Sequence, residues 1–543
     1  MNIVSVATKP FSDQKTGTSG LRKKVSVVKQ EHYVENFVQS IFDSVSGFEG
    51  KTLIVGGDGR FYNDVAIQKI IKLALANQFG RVIVGQNGIF STPAVSHLIT
   101  KYKAFGAIIL TASHNPAGPD GDFGIKFDME NGAPAPDRVI DKVCERTKTI
   151  DRFWTVEMPD IDLSQLGEKQ VGSSVVQIID SVKDYAEYMQ EIFDFSVLKK
   201  MFDEGFKIRF DGLSAVSGPY AKHIFCDLLG ASPDSVQNGI PLPDFGCFHP
   251  EPNLINAKHL ADLAFSEEAP DMCCASDGDA DRYLILGKHF YVSPSDCLAL
   301  MMQYIDLIPY YKDKIYGVAR SMPTAPSVDL VAKDKGYACF ETPTGWKFFG
   351  SLLDAKKITL CGEESFGAGS LHIREKDGIW AILFMLSILA YTGKTLEQLT
   401  REMWQKYGRY YWSLHNYDGL DKEKGDQLMA DVLEKLPALQ GQAFGPYQIK
   451  TAGLYVYTDP VTGDVSKVPC ALIEFTNKSR IIMRLSGTTS STATLRTFYM
   501  TYENNPDKFD QDPQEALKNL IDIGHQIADV PSYGGRKEPS GIL

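Results

Sequence analysis

Short apolar runs that lead into polar or glycine-containing loops recur at three places along the chain. The runs cover 52–56, 207–210 and 315–319. Each run is followed by a segment with the apolar spacing of a helix, at 65–77, 219–229 and 325–335. Strand–loop–helix units that repeat in this way are typical of α/β layers with at least partly parallel sheets. The spacing therefore predicts three related domains.

The pattern changes past residue 400, where a smaller α+β unit is predicted. A polar helix is expected over 418–436. Four strands are expected, over 450–457, 471–476, 480–485 and 494–502. The tail with its prolines and glycines, 530–543, is expected to be loosely ordered. Domain boundaries are predicted near 155–182, 293–312 and 392–410.

Length and charge limit what the protein can be. At 543 residues the chain is too long for one core, and roughly 150 residues per domain suggests three or four domains. It carries 56 basic and 68 acidic residues, for a formal net charge of −12. This balance argues against nucleic acid or an anionic membrane as a partner. Any anionic ligand then has to be held by a local cluster of Arg and Lys.

The cysteines and the apolar runs favour a cytoplasmic protein. The nine cysteines are scattered without a CxxC pair, which disfavours a disulfide scaffold and structural zinc and favours a reducing compartment. The first residues lack a charged segment followed by an apolar core, so no secretory signal is expected. The longest apolar run, 379–391, is too short to span a bilayer and predicts a buried helix.

The run Thr-Ala-Ser-His-Asn-Pro at 111–116 places a hydroxyl nucleophile, Ser113, at the end of the apolar strand 107–110. The Asn-Pro pair turns the chain directly afterwards. Ser113 is therefore presented at the carboxyl end of a strand, where open α/β sheets bind ligands. His114 adds a titratable imidazole beside it. Taken alone, the run is also compatible with an ordinary loop serine.

Three carboxylates alternate in a loop between two apolar runs, at Asp277, Asp279 and Asp281. The small residues between them, Gly278 and Ala280, let the loop curl so that the oxygens converge. Hard oxygen ligands of this kind suit Mg²⁺ or Mn²⁺. An EF-hand is disfavoured because helices do not flank the loop. A solvated acidic turn is the alternative.

Two further loops carry side chains that suit a sugar and a phosphate. Glu363 and Ser365 can face a cleft together and hydrogen-bond neighbouring hydroxyls of a polyol, or they can begin a capped helix. In the loop 484–490, backbone N–H groups can form an anion-binding concavity. Arg484 and Arg496 would add forked donors to a phosphate. A Ser/Thr-rich hairpin without a ligand is the alternative.

Three smaller segments are weaker candidates. The run 372–377 is dense in cationic donors, although such runs are usually solvated surface. The turn 342–347 either lines a sugar pocket or anchors its loop by packing. The segment 18–22 either places a cation near the site or forms a simple turn.

Together these loops favour reversible phosphoryl transfer through a phosphoserine. A metal held beside the serine would neutralise charge on the transferring group, and positioned cations would stabilise the transition state. A second phosphate site has no use in simple hydrolysis. It makes sense where the substrate carries a phosphate that is held while its other end reacts. A metal-dependent serine phosphatase is the alternative.

The chain resembles the α-D-phosphohexomutase family, in its phosphoglucomutase branch. The matching segments are 17–22, 56–62, 111–127, 277–282, 341–350, 361–378 and 480–488. The resemblance implies four domains around a central cleft: three related α/β domains with mixed sheets and a smaller C-terminal α+β domain. The expected domains are 1–182 with the phosphoserine loop, 183–303 with the metal-binding loop, 304–400 with the sugar-recognition loops and 401–543 with the phosphate-binding loop.

The resemblance also implies roles for individual residues. The expected catalytic residues are Ser113, which carries the phosphate, His114, Lys126 and Arg22. One Mg²⁺ would be held by Asp277, Asp279, Asp281 and the Ser113 group. The expected substrate-binding residues are Arg22, Ser113, Arg282, Thr344, Gly345, Glu363, Ser365, Lys376, Arg484, Ser486, Gly487, Thr488 and Arg496. His114 and Lys376 match residues suspected in proton transfer or substrate contact, and neither is singled out as the general base.

The implied reaction interconverts glucose 1-phosphate and glucose 6-phosphate, with glucose 1,6-bisphosphate as intermediate and activator. The expected partners are sugar phosphates, with no nucleic acid and no transmembrane segment. A preference for mannose phosphates is one alternative, and a scaffold or trafficking role as in parafusin-type relatives is another. The chain departs from the usual family pattern at Ala280, where many relatives carry glycine, and at Thr489 and Thr492, where the vertebrate members commonly carry glycine.

Overall fold

The strands of the protein form four large sheets and one two-stranded ribbon in the described part of the chain. The structure, a computed structural model, describes residues 2–17, 20–487 and 492–543. Three of the large sheets are mixed and the fourth is antiparallel. We refer to these sheets and their helices as the first to the fourth unit. They confirm the predicted fold class of three α/β units followed by an α+β unit.

The first unit is built on a seven-stranded sheet. In its described residues the unit has nine strands, of which seven form this sheet and two form the ribbon: β1 (Ile3–Ala7), β2 (Leu21–Lys24), β3 (Thr52–Gly57), β4 (Arg81–Ile89), β5 (Gly106–Leu110), β6 (Asp122–Met129), β7 (Arg152–Val156), β8 (Gly167–Val171) and β9 (Ser174–Ile179). Its helices are α1 (Val25–Val28), α2 (Tyr33–Ser44), α3 (Asn63–Ala76), α4 (Thr92–Lys101) and α5 (Asp137–Thr147). The sheet order is β2-β6-β5-β3-β4-β9-β8, in which β5, β3, β4 and β9 are parallel. β1 and β7 form the ribbon.

The second unit has the sheet order β11-β10-β12-β13-β14, which uses five strands. They are β10 (Ile208–Asp211), β11 (Val236–Gln237), β12 (Met272–Ser276), β13 (Tyr283–Gly287) and β14 (Phe290–Tyr291). The α-helices are α6 (Lys183–Ile192), α7 (Phe195–Asp203), α8 (Ser217–Ala221), α9 (Lys258–Ala264) and α10 (Pro294–Gln303). A π-helix, Lys222–Leu228, continues α8. The helix expected over 219–229 is therefore present but changes its hydrogen-bond pattern on the way.

The third unit has the sheet order β16-β15-β17-β18. Its strands are β15 (Gly317–Ser321), β16 (Ala338–Thr342), β17 (Leu360–Glu363) and β18 (Gly367–Ser370). Its helices are α11 (Ser327–Lys335), α12 (Lys347–Asp354), α13 (Gly378–Thr392) and α14 (Leu396–Tyr407). As predicted, the apolar run 379–391 forms a buried helix, α13, whose residues are apolar all round. The Asp377 side chain caps its first turn.

The fourth unit is an antiparallel sheet with the order β20-β21-β22-β23-β24-β19-β25. Its strands are β19 (Arg409–Asp421), β20 (Ala443–Phe444), β21 (Tyr447–Thr458), β22 (Val465–Phe475), β23 (Arg480–Gly487), β24 (Thr492–Glu503) and β25 (Gly541–Ile542). Its helices are α15 (Lys422–Leu439) and α16 (Pro513–Ile527). The four strands expected from the sequence are all present.

Two expectations for this unit are wrong. The expected helix over 418–436 begins later, because Leu420 and Asp421 pair with β24 and the Asp421 side chain then caps α15. The expected loose tail ends in β25, which pairs with β19. The backbone groups of Leu543 and Leu414 also exchange hydrogen bonds of 2.9 and 3.0 Å. Backbone hydrogen bonds to β19, which composition alone does not predict, hold this tail in place.

The loops that carry the candidate residues occupy one repeated position in the three α/β units. In each unit a parallel strand pairs with the antiparallel strand that follows it: β5 with β6, β12 with β13 and β17 with β18. The connections between these strands are 111–121, 277–282 and 364–366. The predicted internal repeat thus delivers the serine loop, the acidic loop and the glutamate-serine loop at equivalent edges of three sheets.

Burial within the strands and helices fixes this arrangement. β5 is buried at every position, as expected for a central strand with both faces covered. Residues of the second and third units share the largest apolar core, so these two units pack as one body. In the described residues no one helix is long and apolar enough to cross a membrane. α13 and α14 reach that length and apolar composition only when taken together, and they are bent by 85° relative to each other.

Candidate active site

All four units contribute side chains to one cleft, which encloses about 410 Å³. The predicted site residues that line it are Arg22, Ser113, His114, Lys126, Asp279, Asp281, Arg282, Thr344, Gly345, Glu363, Ser365, Lys376, Arg484, Ser486 and Arg496. Asp277 lies directly behind Ser113, to which it is hydrogen-bonded. Gly487 ends β23 at the hairpin that carries Ser486. Thr488, Thr489, Thr18 and Ser19 lie outside the described residues.

Ser113 is held in a sharp turn after β5. Its φ is 50°, in the left-handed region that a residue with a Cβ rarely adopts. The Ser113 N–H donates to the Thr111 hydroxyl at 2.8 Å. The Ser113 hydroxyl donates to Asp277 Oδ2 at 2.9 Å. The candidate nucleophile of the first unit therefore contacts the acidic loop of the second unit directly.

His114 lies beside the serine, with Nδ1 3.3 Å from Ser113 Oγ. Removal of the ring from water, and then the charges of Arg282 and Arg22, lower the pKa of His114 well below its usual value. The imidazole is therefore neutral near pH 7, and one ring nitrogen keeps a free lone pair. This geometry suits proton acceptance from a hydroxyl in the cleft.

The acidic loop brings three buried carboxylates together. One oxygen from each of Asp277, Asp279 and Asp281 lies within 4.8 Å of the others. Burial, and then the negative charges of Asp281 and Asp279, raise the pKa of Asp277 well above its usual value. Ala280 has a φ of 67°, so the chain turns in the left-handed region between the second and third carboxylates. A solvated acidic turn is thus wrong for this loop.

These carboxylates fit a divalent cation. Oδ1 of Asp279 and Oδ1 of Asp281 are buried and have no hydrogen-bond partner among the described residues. Their other oxygens are used, by the Thr92 hydroxyl at 2.7 Å and by Lys376 Nζ at 2.9 Å. Buried carboxylate oxygens without a proton donor are costly, and a hard cation satisfies them. The donor set consists of oxygens alone, as Mg²⁺ and Mn²⁺ prefer.

Two buried lysines extend the charge pattern from this loop. Lys126 Nζ lies 2.6 Å from Glu375 Oε1, and Lys376 Nζ lies 2.9 Å from Asp281 Oδ2. Burial alone would lower the pKa of each lysine, but Glu375 and Asp281 respectively raise it above its usual value. Both ammonium groups are therefore charged at neutral pH. The run 372–377 is thus a wall of the cleft and not a solvated surface.

Two arginines complete the positive wall around the serine. Arg22 Nη1 donates to Asn115 Oδ1 at 3.3 Å, and Arg282 Nη1 lies 3.7 Å from Glu251 Oε1. The Nε groups of both arginines are buried and make no hydrogen bond to a described residue, and the Nε of Arg282 lies 3.8 Å from Asp281 Oδ1. Donors left unpaired beside a nucleophile are suited to receive an anionic group.

The sugar-recognition candidates meet at the end of β17. The Gly345 N–H donates to Glu363 Oε1 at 3.0 Å, so this glutamate joins two loops of the third unit. Burial is the main cause that raises the pKa of Glu363. Ser365 lines the cleft two residues later, and Thr344 lies on the facing loop. Because β18 follows at once, the alternative of a capped helix start is wrong here.

The phosphate-binding candidates lie on the hairpin of β23 and β24. Arg484 and Arg496 are direct partners in the antiparallel pairing, and like charges opposite one another destabilise a sheet. Their Nε groups and Ser486 Oγ are buried without a hydrogen-bond partner in the described part of the chain. Glu364 lies at the edge of this site, with its Oε1 3.9 Å from Arg484 Nη2. An anion bound here would satisfy all three groups.

Three charged residues near this site have no role in the sequence prediction. Glu375 pairs with Lys126, Glu251 faces Arg282, and Arg60 donates to the Ser113 carbonyl oxygen at 2.8 Å. The charge-dense run around Lys376 and the prolines on both sides of Glu251 are signals that could have indicated two of them. Arg60 lies in a segment of the resemblance, but only the fold shows what it touches.

A cleft that places a serine hydroxyl against an acidic cluster, with two arginines whose Nε groups have no partner among the described residues, defines a serine-dependent phosphotransferase. Comparison with known proteins narrows this class. The models of the phosphoglucomutase/phosphomannomutase α/β/α domains match residues 13–153 for domain I, 183–289 for domain II and 293–407 for domain III. The model of the phosphoglucomutase-1 C-terminal domain matches 409–540. The chain belongs to the phosphoglucomutase/phosphomannomutase family.

Individual relatives match over the full length. The chain is 49% identical over 540 residues to a phosphoglucomutase of Rhizobium radiobacter, covering 99% of this chain and 100% of the relative. It is 46% identical over 562 residues to human phosphoglucomutase-1, covering 100% of both. A solved structure of pp63/parafusin from Paramecium, in its open form, superposes with a TM-score of 0.93 at 44% identity. That match covers 100% of this chain and 99% of that one.

Proposed function

We propose that the protein is a phosphoglucomutase that interconverts glucose 1-phosphate and glucose 6-phosphate through a phosphoserine on Ser113. One observation carries the proposal: Ser113 Oγ is hydrogen-bonded to Asp277 of the acidic cluster, within the same cleft as Arg484 and Arg496, whose Nε groups have no partner among the described residues. One end of a bisphosphate would react at the serine while the other end is held by the arginines. The full-length relatives named phosphoglucomutase support the same reaction.

The metal of this family would be held by Asp277, Asp279, Asp281 and the Ser113 group, and we propose that it is one Mg²⁺ per chain. When bound, it would neutralise charge on the transferring phosphoryl group. The proposed domains are 1–182, 183–303, 304–400 and 401–543, each of which contributes residues to the cleft. The free state of all nine cysteines supports a reducing, cytoplasmic compartment.

The residues around Ser113 would bind and stabilise the moving phosphoryl group. Arg22, Lys126 and Arg282 surround the serine with fixed positive charge, which stabilises a transition state more than a mobile solvent does. The neutral His114 is within reach of Ser113 Oγ and can hold a proton there. Phosphoserine gives its phosphoryl group to the C6 hydroxyl oxygen of glucose 1-phosphate, and that hydroxyl releases its proton.

The second half of the reaction needs the sugar to present its other end. The glucose 1,6-bisphosphate turns over in the cleft, and its C1 phosphoryl group returns to Ser113 Oγ while the C1 oxygen regains a proton. Glu363 and Ser365 would hold the hydroxyls between the two reacting ends, so they serve both orientations. Arg484, Ser486, Gly487, Thr488 and Arg496 would hold whichever phosphate is not being transferred. Thr344 and Gly345 would close the sugar pocket.

The test is the Ser113→Ala variant assayed for glucose 1-phosphate conversion in the presence of Mg²⁺ and glucose 1,6-bisphosphate. Conversion is expected to fall by at least ~10³-fold, because the atom that carries the phosphate is removed. Ser387→Ala is the matched control, since Ser387 is a buried serine of α13 whose hydroxyl bonds only within its helix. Turnover of Ser113→Ala close to that of this control would contradict the proposal. The same assay with mannose 1-phosphate is expected to show slower conversion.

A further inference from the structure

The backbone at Ser113 is strained and has to be held. A serine with a φ of 50° costs on the order of 1 kcal/mol or more relative to ordinary backbone. Such a conformation persists only where surrounding contacts fix it. Among the residues that the structure describes, hydrogen bonds to the Ser113 backbone come from Thr111 and Arg60.

Arg60 is a fully buried cation whose donors converge on the serine loop. Its Nη2 donates to the Ser113 carbonyl oxygen at 2.8 Å, and its Nη1 donates to the Asp122 carbonyl oxygen at 2.9 Å. These two acceptors lie at the two ends of the loop between β5 and β6. Asp58 neutralises the guanidinium through its Oδ2, 2.8 Å from Nη2. Arg60 does not line the cleft, so it can act on the reaction only through the groups that it contacts.

Thr111 links the Ser113 N–H to Asp58, the residue that also pairs with Arg60. Its hydroxyl accepts the Ser113 N–H at 2.8 Å and donates to Asp58 Oδ2 at 2.6 Å. The N–H and the C=O of Ser113 are thus both tied, through Thr111 and Arg60, to the same carboxylate. Thr111 and Asp58 are both fully buried, so water does not compete for these bonds.

The network also touches the acidic loop. Gly278 packs so closely on the serine loop that a Cβ there would lie 2.4 Å from the Ser113 carbonyl oxygen. Phe245, of the second unit, lies over the Arg60 guanidinium at 5.2 Å from its ring centroid. Displacement of the Ser113 carbonyl would therefore disturb the contact between the serine and the three aspartates.

We propose that Asp58, Arg60 and Thr111 are positioning residues that clamp both backbone groups of Ser113 and so aim Oγ at the acidic cluster. The proposal rests on the function proposed above, because it explains how the phosphate-carrying atom is placed. A displacement of about 1 Å at a reacting atom can cost ~10²-fold in rate. The clamp acts on the chemical step and, in the described part of the chain, does not contact the sugar-recognition loops of the third unit or the phosphate-binding hairpin of the fourth.

The test compares Thr111→Val, which removes the hydroxyl but keeps the shape, with Thr111→Ser, which restores the hydroxyl. Thr359→Val is the matched control: Thr359 is also buried and its hydroxyl also accepts a backbone N–H, from Tyr316 at 2.8 Å, away from the cleft. Thr111→Val is expected to lower kcat by ~10- to 10²-fold with KM for glucose 1-phosphate changed by less than about three-fold. Thr111→Ser is expected to recover most of kcat, and Thr359→Val to keep it.

Hydrogen exchange gives a readout that does not depend on turnover. Exchange in the segment that contains the Ser113 amide is expected to speed up in Thr111→Val and to stay unchanged in Thr359→Val. Arg60→Lys keeps the positive charge but loses the forked guanidinium donors. It is expected to lower kcat and to speed up exchange in the same segment, and it provides this test even if Thr111→Val fails to fold. Unchanged exchange and a kcat equal to that of the control would overturn the clamp. A wild-type protein that does not convert glucose 1-phosphate would instead contradict the proposed function, while the exchange comparison still tests the clamp.

Discussion

The serine loop and the phosphate-binding hairpin line the same cleft, but their polar groups are satisfied to different degrees. Around Ser113, the backbone N–H, the carbonyl oxygen and the hydroxyl each have a partner inside the protein. On the hairpin of β23 and β24, the Nε groups of Arg484 and Arg496 are unpaired among the described residues, and the two side chains oppose each other directly. The polar groups of Ser113 itself are therefore satisfied without a ligand, and those of the hairpin arginines are not.

The difference indicates a division of labour, in which the serine region determines the rate of the chemical step and the hairpin determines substrate affinity. A reacting group gains rate when it is fixed before the substrate arrives, because no reorganisation is then needed in the transition state. Donors left unpaired instead gain energy when an anion binds, and they gain it equally in ground and transition states. Changes in the serine region should therefore act on kcat, and changes in the hairpin should act on KM.

The largest effect short of removing the serine is expected from Asp279→Asn. This change keeps the size of the side chain but replaces one of the three carboxylates of the cluster, the one whose Oδ1 has no partner among the described residues, with an amide. We expect kcat to fall by ~10²- to 10³-fold and the concentration of Mg²⁺ needed for half activity to rise by ~10-fold or more. Steady-state kinetics across a Mg²⁺ titration measure both.

Asp262→Asn is the control for that experiment. Asp262 lies on α9, is largely exposed and pairs with Lys258 four residues earlier. Its substitution should therefore leave kcat and the Mg²⁺ dependence unchanged. If Asp279→Asn kept the Mg²⁺ dependence of this control, the acidic loop would not be the metal site and the serine region would lose its proposed role.

A smaller effect, on a different constant, is expected from Arg496→Met. The change removes a forked donor from the hairpin but keeps a side chain that can pack against β23. Loss of a charge-assisted hydrogen bond costs about 1.5–3 kcal/mol, which corresponds to a rise in KM of ~10- to 10²-fold. We expect kcat to change little. Arg401→Met, on the exposed face of α14, should leave both constants unchanged; a fall in kcat without a rise in KM in Arg496→Met would contradict the division of labour.

Acid is expected to weaken the contact between the first and second units. His97 of α4 stacks on Tyr188 of α6 at 4.1 Å between ring centroids, and burial, followed by the charge of Lys101, lowers the pKa of His97 to about 4. Its pKa in the unfolded chain is about 6.5, so the unfolded state binds more protons below that pH. The contribution of His97 to stability is therefore present above pH 6.5 and is lost as the pH falls toward 4.

Thermal unfolding at pH 7.5 and pH 5 measures this contribution in the wild type and in His97→Asn. The drop in Tm between the two pH values should be smaller in the variant by about 1–3 °C. An equal drop in both proteins would show that His97 is not held in its neutral form, and the first two units would then be less tightly joined than the stacking implies.

The smallest effect is expected from Ala280→Gly. The φ of 67° at Ala280 costs a residue with a Cβ on the order of 1 kcal/mol, and glycine would remove this strain. Glycine also leaves the unfolded chain more conformational freedom, which lowers the stability of the folded state by about 0.4–1 kcal/mol. We expect no loss of stability and an unchanged kcat. Ala430→Gly, at an exposed position within α15, should by contrast lose roughly 1 kcal/mol. Equal losses in the two variants, by denaturant unfolding, would show that the left-handed turn is not strained.

The sequence predicted the parts of the site that lie next to one another in the chain. Ser113 and the three aspartates each follow a buried strand, and strand ends of this type converge at one edge of a sheet. Contacts between distant positions could not be predicted in this way. The pairing of Lys126 with Glu375 joins residues 249 positions apart, and the hold of Arg60 on Ser113 depends on how β3 and β5 pair.

The fourth unit also shows that strands which depend on distant partners are not predictable from local sequence patterns. Alternation of apolar residues identified the strands of its hairpins, because period-two patterns are local. The same pattern did not reveal that Leu420 and Asp421 belong to β19, since only their pairing with Ala493 and Thr492 makes them a strand. The last residues likewise gain order from β19, a partner more than a hundred residues away.

The central claim is that Ser113 carries a phosphoryl group, and intact mass tests it most directly. The wild-type protein, incubated with Mg²⁺ and glucose 1,6-bisphosphate, should gain the mass of one phosphoryl group, located by fragmentation at Ser113. The added group should leave on incubation with excess glucose 1-phosphate. Arg496→Met should still gain it when the bisphosphate is saturating, and Ser113→Ala should not gain it at all. A phosphoryl group on another residue, or none on the active wild-type protein, would contradict the account.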